Sequence, residues 1–111
     1  GGINLNVYFK NETKTLTLEL TEEIDHHSTE EIRRIADYEI ERYMPRKVVF
    51  DFHNVTFMDS AGIGMVLGRY RMIKMLGGTL EISQANTNVK KILEMSGVLK
   101  ICPMKECSKT I

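Results

Sequence analysis

The sequence predicts an α/β fold: a mixed β-sheet flanked by helices, in the order ββαβαβαβ. Three observations predict it. Short alternating or wholly apolar runs, about five residues each, recur between longer segments of helical period. Gly, Pro and small polar residues fall at the boundaries between these segments. The chain has 111 residues, 42% of them hydrophobic and 27% charged, which suits one domain able to bury a core without covalent staples. The domain is expected to span residues 3–111, with Gly1-Gly2 read as a tag remnant or processed end.

Each element follows from local pattern. Ile3-Asn4-Leu5-Asn6-Val7-Tyr8-Phe9 and Leu16-Thr17-Leu18-Glu19-Leu20 alternate apolar and polar residues, so both read as strands, with Lys10-Asn11-Glu12-Thr13 as the turn between them. An acidic corner, Thr21 to Asp25, precedes the first helix. Ser28 and Glu31 have capping-box spacing, and Ile32, Ile35, Ala36, Ile40 and Tyr43 form an apolar stripe that stops before Pro45. Lys47 to Phe52 is a mostly apolar run expected as a central buried strand. A second helix is expected from Ala61 to Leu76, with a core stripe of Ile63, Val66, Leu67, Tyr70 and Ile73 and a stop at Gly77-Gly78. Thr79 to Ser83 alternates as a strand, Thr87 caps a third helix that ends at Gly97, and Val98 to Ile101 is expected as a last short strand.

Charge and composition exclude several function classes. Lys plus Arg and Asp plus Glu number 15 each, for zero net charge, so the basic excess of a nucleic-acid binder is missing. No apolar run reaches membrane-spanning length, and no signal sequence opens the chain. Cys102 and Cys107 offer two thiols without a matching second ligand pair, so free thiols in a reducing cytoplasm are expected rather than a metal centre.

One segment is costly for packing alone. Val55-Thr56-Phe57-Met58-Asp59-Ser60-Ala61-Gly62-Ile63-Gly64 leads from the central strand into the second helix, the region where ligands and switches sit in α/β folds. Gly62, Gly64 and Gly68 each cost about 0.5–1 kcal/mol against Ala in a helix. Three readings stand open. Ser60 is only a helix cap, with Gly64 and Gly68 letting the helix approach the sheet. Or the helix start cradles an anion, although G-x-x-x-x-G-K-[ST] and G-x-G-x-x-G are both absent. Or Ser60 is itself a phosphate acceptor, since G-x-S-x-G for a hydrolase nucleophile is also absent. An enzyme built on Asp59 and Ser60 would have His53 as its only nearby base, and His53 reads as a turn residue. Met65, Arg69, Met72 and Leu76 form a second face of the helix, either packing under a neighbour or an adaptable partner surface. Asp25-His26-His27 reads as a capping loop, not as a metal site.

Phe57-Met58-Asp59-Ser60-Ala61-Gly62-Ile63-Gly64 with Leu67-Gly68-Arg69-Tyr70 resembles the signature of STAS-domain anti-sigma factor antagonists, as do Ile24-Asp25-His26-His27 and Leu93-Glu94-Met95-Ser96-Gly97-Val98. The set, from about Ile3 to Ile101, is most similar to the sporulation branch of that family. The resemblance implies a single STAS-like domain without catalytic activity; no cofactor is expected, and zero net charge and small size fit a monomer when free. It implies that Ser60 is phosphorylated by an anti-sigma factor with serine kinase activity, that the unphosphorylated form binds this partner and releases the sigma factor, and that a metal-dependent serine phosphatase resets the switch. Asp25, Asp59, Ser60, Gly62, Ile63 and Arg69 match the family's partner-binding surface. The sequence departs from the family at Ala61, where many members carry a second hydroxyl, and at Thr21-Glu22-Glu23, where a Gly-Glu pair is common.

Overall fold

A computed structural model describes residues 5–105; Gly1-Gly2, the Ile3-Asn4 start of the expected first strand, and Cys107 lie outside them. Strands β1 (Asn6–Lys10) and β2 (Thr15–Glu19) form the antiparallel opening hairpin, followed by β3 (Glu23–Ile24), helix α1 (Ser28–Tyr43), β4 (Lys47–Asp51) and β5 (Phe57–Met58). Helix α2 (Ala61–Met75), β6 (Thr79–Ser83), helix α3 (Thr87–Met95), a 3-10 turn (Val98–Lys100) and β7 (Met104–Lys105) complete the order. The main sheet runs β1-β2-β4-β6-β7, and a separate two-stranded sheet joins β3 to β5.

Register explains the one-sided core. Phe9 lies opposite Leu16, Leu16 opposite Val48, and Val48 opposite Leu80, while Leu18, Phe50 and Ile82 make a parallel row. With a side-chain period of two, these rows share one face. All of them except Phe9 are at most 2% exposed. Helix α1 turns Ile32, Ala36 and Ile40 inward, and its Tyr43 ring stacks on Phe9 at 4.2 Å between centroids. Helices α1 and α2 pack side by side. The opposite rows, such as Tyr8, Thr17, Val49 and Glu81, are polar or mixed and at least partly exposed.

Four expectations need correction. Val98–Lys100 is a 3-10 turn, not a strand: Gly97 takes φ 83° and starts a tight turn in which Lys100 N–H donates to Gly97 O. The last strand comes after Pro103, at Met104–Lys105. The cap of α3 is Asn86, whose side chain accepts from Val89 N–H at 2.8 Å, one residue before Thr87. The Ser28–Glu31 capping box does not form. Ser28 Oγ donates back to Glu23 O at 2.9 Å, and Glu31 pairs with Arg34 one turn on.

The glycines of α2 divide in a way that sequence spacing does not reveal. A Cβ on Gly62 would stand 2.5 Å from Met58 Sδ and 3.1 Å from Ile24 Cγ2, so this position lets α2 seat on the β3–β5 pair. A Cβ on Gly64 or Gly68 would meet nothing within 4 Å. The expected close approach to the sheet therefore belongs to Gly62 and not to Gly64 and Gly68. Gly62→Ala should lower stability by about 1–2 kcal/mol through overpacking against buried Met58. Gly68→Ala should raise it by about 0.5–1 kcal/mol through helix propensity. Urea unfolding of the two variants beside the parent chain checks both signs.

Candidate functional site

The β3–β5 pair builds the site. Glu23 lies opposite Phe57 and Ile24 opposite Met58 in parallel register, and the ladder continues as Asp59 N–H donates to Ile24 O at 3.0 Å. Ile24 and Met58 face the core, at 0% and 2% exposure. The next residue on each strand is an aspartate, so Asp25 and Asp59 emerge together at the heads of α1 and α2.

Both aspartates then cap their helices from just outside. Asp25 Oδ1 accepts from His27 N–H at 3.0 Å and Ser28 N–H at 2.8 Å. Asp59 Oδ1 accepts from Ala61 N–H at 2.8 Å. The residues formally at the N-cap positions, His27 and Ser60, have helical backbone angles and make no side-chain cap bond. The expected role of Ser60 as a cap thus passes to Asp59. Ser60 is exposed, and among the described residues no imidazole or carboxylate hydrogen-bonds its hydroxyl. His53 instead places Nδ1 3.0 Å from Asp51 Oδ1 at the end of β4.

The first turn of α2 carries no acidic residue, so the positive end of its dipole is not neutralised from within. Its N–H groups are engaged, however: besides the Ala61 bond, Gly62 N–H donates to Asp59 O and Ile63 N–H to Ser60 O, each at 3.1 Å. An anion at Ser60 therefore feels the dipole without being wrapped by free amides. A shallow groove of about 280 Å³ runs beside it, lined by His26, Thr29, Glu30 and Arg33 of the α1 head and Ala61, Gly64 and Met65 of α2.

The remaining expected site residues fall in different settings. Gly62 is buried and Ile63 half-buried against the core. Arg69 turns toward α1, where its Nε sits 2.8 Å from Asp37 Oδ1 with its side chain 12% exposed. The two atoms are in contact but off the line a hydrogen bond needs. Burial pulls the Arg69 pKa below its ordinary value, and Asp37 opposes that shift. Met65 is buried and Met72 partly so, so this face of α2 serves mainly as packing. Phe57 was not anticipated as a site residue, yet it stands 52% exposed three residues before Ser60. Its signal was available: in β5 it faces away from buried Met58, which forces a large aromatic outward.

Hydrogen bonding from Ser28 N–H, outweighing partial burial, and then from His27 N–H lowers the pKa of Asp25 below the usual aspartate value. A lowered folded-state pKa gives stability that is complete above the unfolded value, about 3.9, and is lost as pH falls through the folded one. Asp25→Asn should therefore melt below the parent at pH 7, and the gap should narrow steadily as pH falls below the unfolded value, about 3.9. Thermal melts followed by circular dichroism across that range check it.

Comparison with known proteins places this geometry. The STAS domain model matches residues 4–110. The anti-sigma F factor antagonist of Paenibacillus polymyxa is 35% identical over 102 residues, spanning 92% of this chain and 87% of that protein. The solved structure of the anti-sigma factor antagonist SpoIIAA in its unphosphorylated form superposes with a TM-score of 0.81 at 26% identity, covering 96% of this chain and 90% of that one. The phosphorylated form of the Bacillus cell fate determinant SpoIIAA superposes at 0.73, with 25% identity and coverage of 96% and 93%.

Proposed function

The chain belongs to the STAS domain family, and from that premise we propose that it is an anti-sigma factor antagonist switched by phosphorylation of Ser60. The unphosphorylated form binds an anti-sigma factor that carries serine kinase activity, and the sigma factor is thereby released. Phosphorylation of Ser60 ends that binding, and a metal-dependent serine phosphatase restores it. The protein acts as a binding component in the cytoplasm and not as an enzyme.

The observation that carries the reading is the placement of Ser60: an exposed hydroxyl, free of a capping role, at the head of α2 beside an open groove. Three further features support it. Gly64 and Gly68 have room for a side chain, so intramolecular packing does not demand glycine there, while a closely fitting partner does. Phe57 offers an exposed aromatic anchor of the kind that dominates interfaces. The similar SpoIIAA superposes in both its unphosphorylated and phosphorylated forms, which supports a switch that leaves the fold in place.

Within this reading Ser60, Asp25, Asp59, Phe57 and the groove meet the partner. Gly62, Ile63 and Arg69 hold that surface in shape from beneath. Alternative chemistry has less support: His53 is engaged with Asp51, and the first amides of α2, which a nucleotide or other anion at the Asp59–Gly64 segment would need, already have partners.

Intact-mass spectrometry after incubation with ATP and the anti-sigma kinase should find one added phosphate on the parent chain and none on Ser60→Ala. No phosphate on the folded parent, with an active kinase, would overturn the proposal. Phe57→Ala should weaken binding of the unphosphorylated chain by about 1–3 kcal/mol, roughly fivefold to 150-fold, without changing its melting temperature. Surface plasmon resonance against the immobilised anti-sigma factor measures the loss.

A further inference from the structure

Away from Ser60, the chain gathers a second group of chemistry-bearing side chains. Glu19 ends β2 and Asp51 ends β4, and the two lie directly opposite in the parallel ladder. Like charges in that relation are destabilising, and among the described residues no Lys or Arg forms an ion pair with either. His53 follows two residues after Asp51. One donor atom from each of Glu19, Asp51 and His53 falls within 4.8 Å of the other two.

The three side chains are held in place by neighbours. Asn6 Nδ2 donates to Glu19 Oε1 at 3.0 Å, and Gln84 Nε2 contacts both oxygens of Asp51 at 3.3 Å. Such outer partners orient carboxylates in metal centres. Asp51 is 8% exposed while His53 remains exposed, which gives a rooted base and an open side. Glu19 also borders a cleft of about 700 Å³ whose wall includes Glu22, Glu23 and Asp25 but no Lys or Arg. A cleft of one sign concentrates counter-ions. Asp51 Oδ1 accepts from His53 N–H and lies 3.0 Å from His53 Nδ1; that pairing accounts for the approach of His53 to Asp51, but it explains neither the opposed Glu19 nor the charge of the cleft.

We propose that Glu19, Asp51 and His53 bind one divalent transition-metal ion, of the zinc or manganese class. Two carboxylates and one imidazole suit such an ion, with solvent completing its coordination. The cation neutralises the opposed carboxylates. It also ties down residues 52–56, the loop that leads from β4 into β5 and so to Ser60.

Calorimetric titration of the full 111-residue chain with Zn²⁺, under a non-chelating reductant that keeps the cysteines reduced, tests the site. One ion per chain should bind, with affinity reduced at least about tenfold in both Glu19→Gln and His53→Ala. The His26→Ala/His27→Ala double variant should bind as the parent does. Circular dichroism of each variant establishes that it is folded, and Mn²⁺ should broaden the amide resonances of Glu19, Asp51 and His53 first in the parent. Absence of saturable one-to-one binding, undiminished binding by folded His53→Ala, or loss of binding in the His26/His27 variant would each overturn the proposal.

Discussion

The short ladder between Glu23–Ile24 and Phe57–Met58 is the constraint on which the rest of this site depends. Two pairs of residues and the bond from Asp59 N–H to Ile24 O bring together segments that lie more than thirty positions apart in the sequence. Burial of Ile24 and Met58 anchors the ladder to the core, and the missing Cβ of Gly62 lets α2 close over it. Asp25 and Asp59 then turn each strand into its helix. The groove, the exposed Phe57 and the free hydroxyl of Ser60 are consequences of that arrangement.

The same arrangement determines what a phosphate can do. Phosphorylation adds about −1.5 to −2 charges, which the dipole of α2 favours by about 0.3–1 kcal/mol. Because the first amides of α2 already have partners, the phosphate has no ready cradle to draw it inward, and Asp25 and Asp59 stand nearby. The charge stays at the surface. A partner carboxylate about 6 Å away would then be repelled by about 1–5 kcal/mol, about fivefold in affinity at the low end and far more at the high end, and the bulk of the phosphate in a close interface adds to that loss. The switch acts on the complex, not on the fold.

Much of this was legible in the sequence, and what was missed has identifiable causes. Strands β1, β2, β4 and β6 of the main sheet and all three helices carry enough residues for a period to show, so their type and approximate limits follow from pattern alone; β7, two residues long, does not. Strands β3 and β5 are two residues long and have no period to read; only the isolated apolar residues Ile24 and Met58 hint at them. The cap at the head of α1 reads as Asp25 or Ser28 in sequence and is Asp25, whereas the caps expected at Ser60 and Thr87 fall one residue earlier, because the preceding Asp or Asn accepts the amides first, with a short side chain suited to that turn. The 3-10 turn at Val98–Lys100 has the apolar content of a strand, and the positive φ of Gly97 decides the matter. The glycines of α2 looked alike in sequence, yet only Gly62 among these three is required by packing. The Ser60 segment was readable for the opposite reason: its residues conflict with helix propensity, and that conflict marks the surface proposed here for a partner.

The central claim is that a phosphate on Ser60 changes affinity while leaving stability in place. Calorimetric titration of the anti-sigma factor with the unphosphorylated and Ser60-phosphorylated chains, with a thermal melt of each, tests it directly. The account predicts an affinity loss of about tenfold or more with melting temperatures within about 4 °C of each other. Affinities within about twofold, or a phosphorylated chain that loses binding only because it has unfolded, would contradict it.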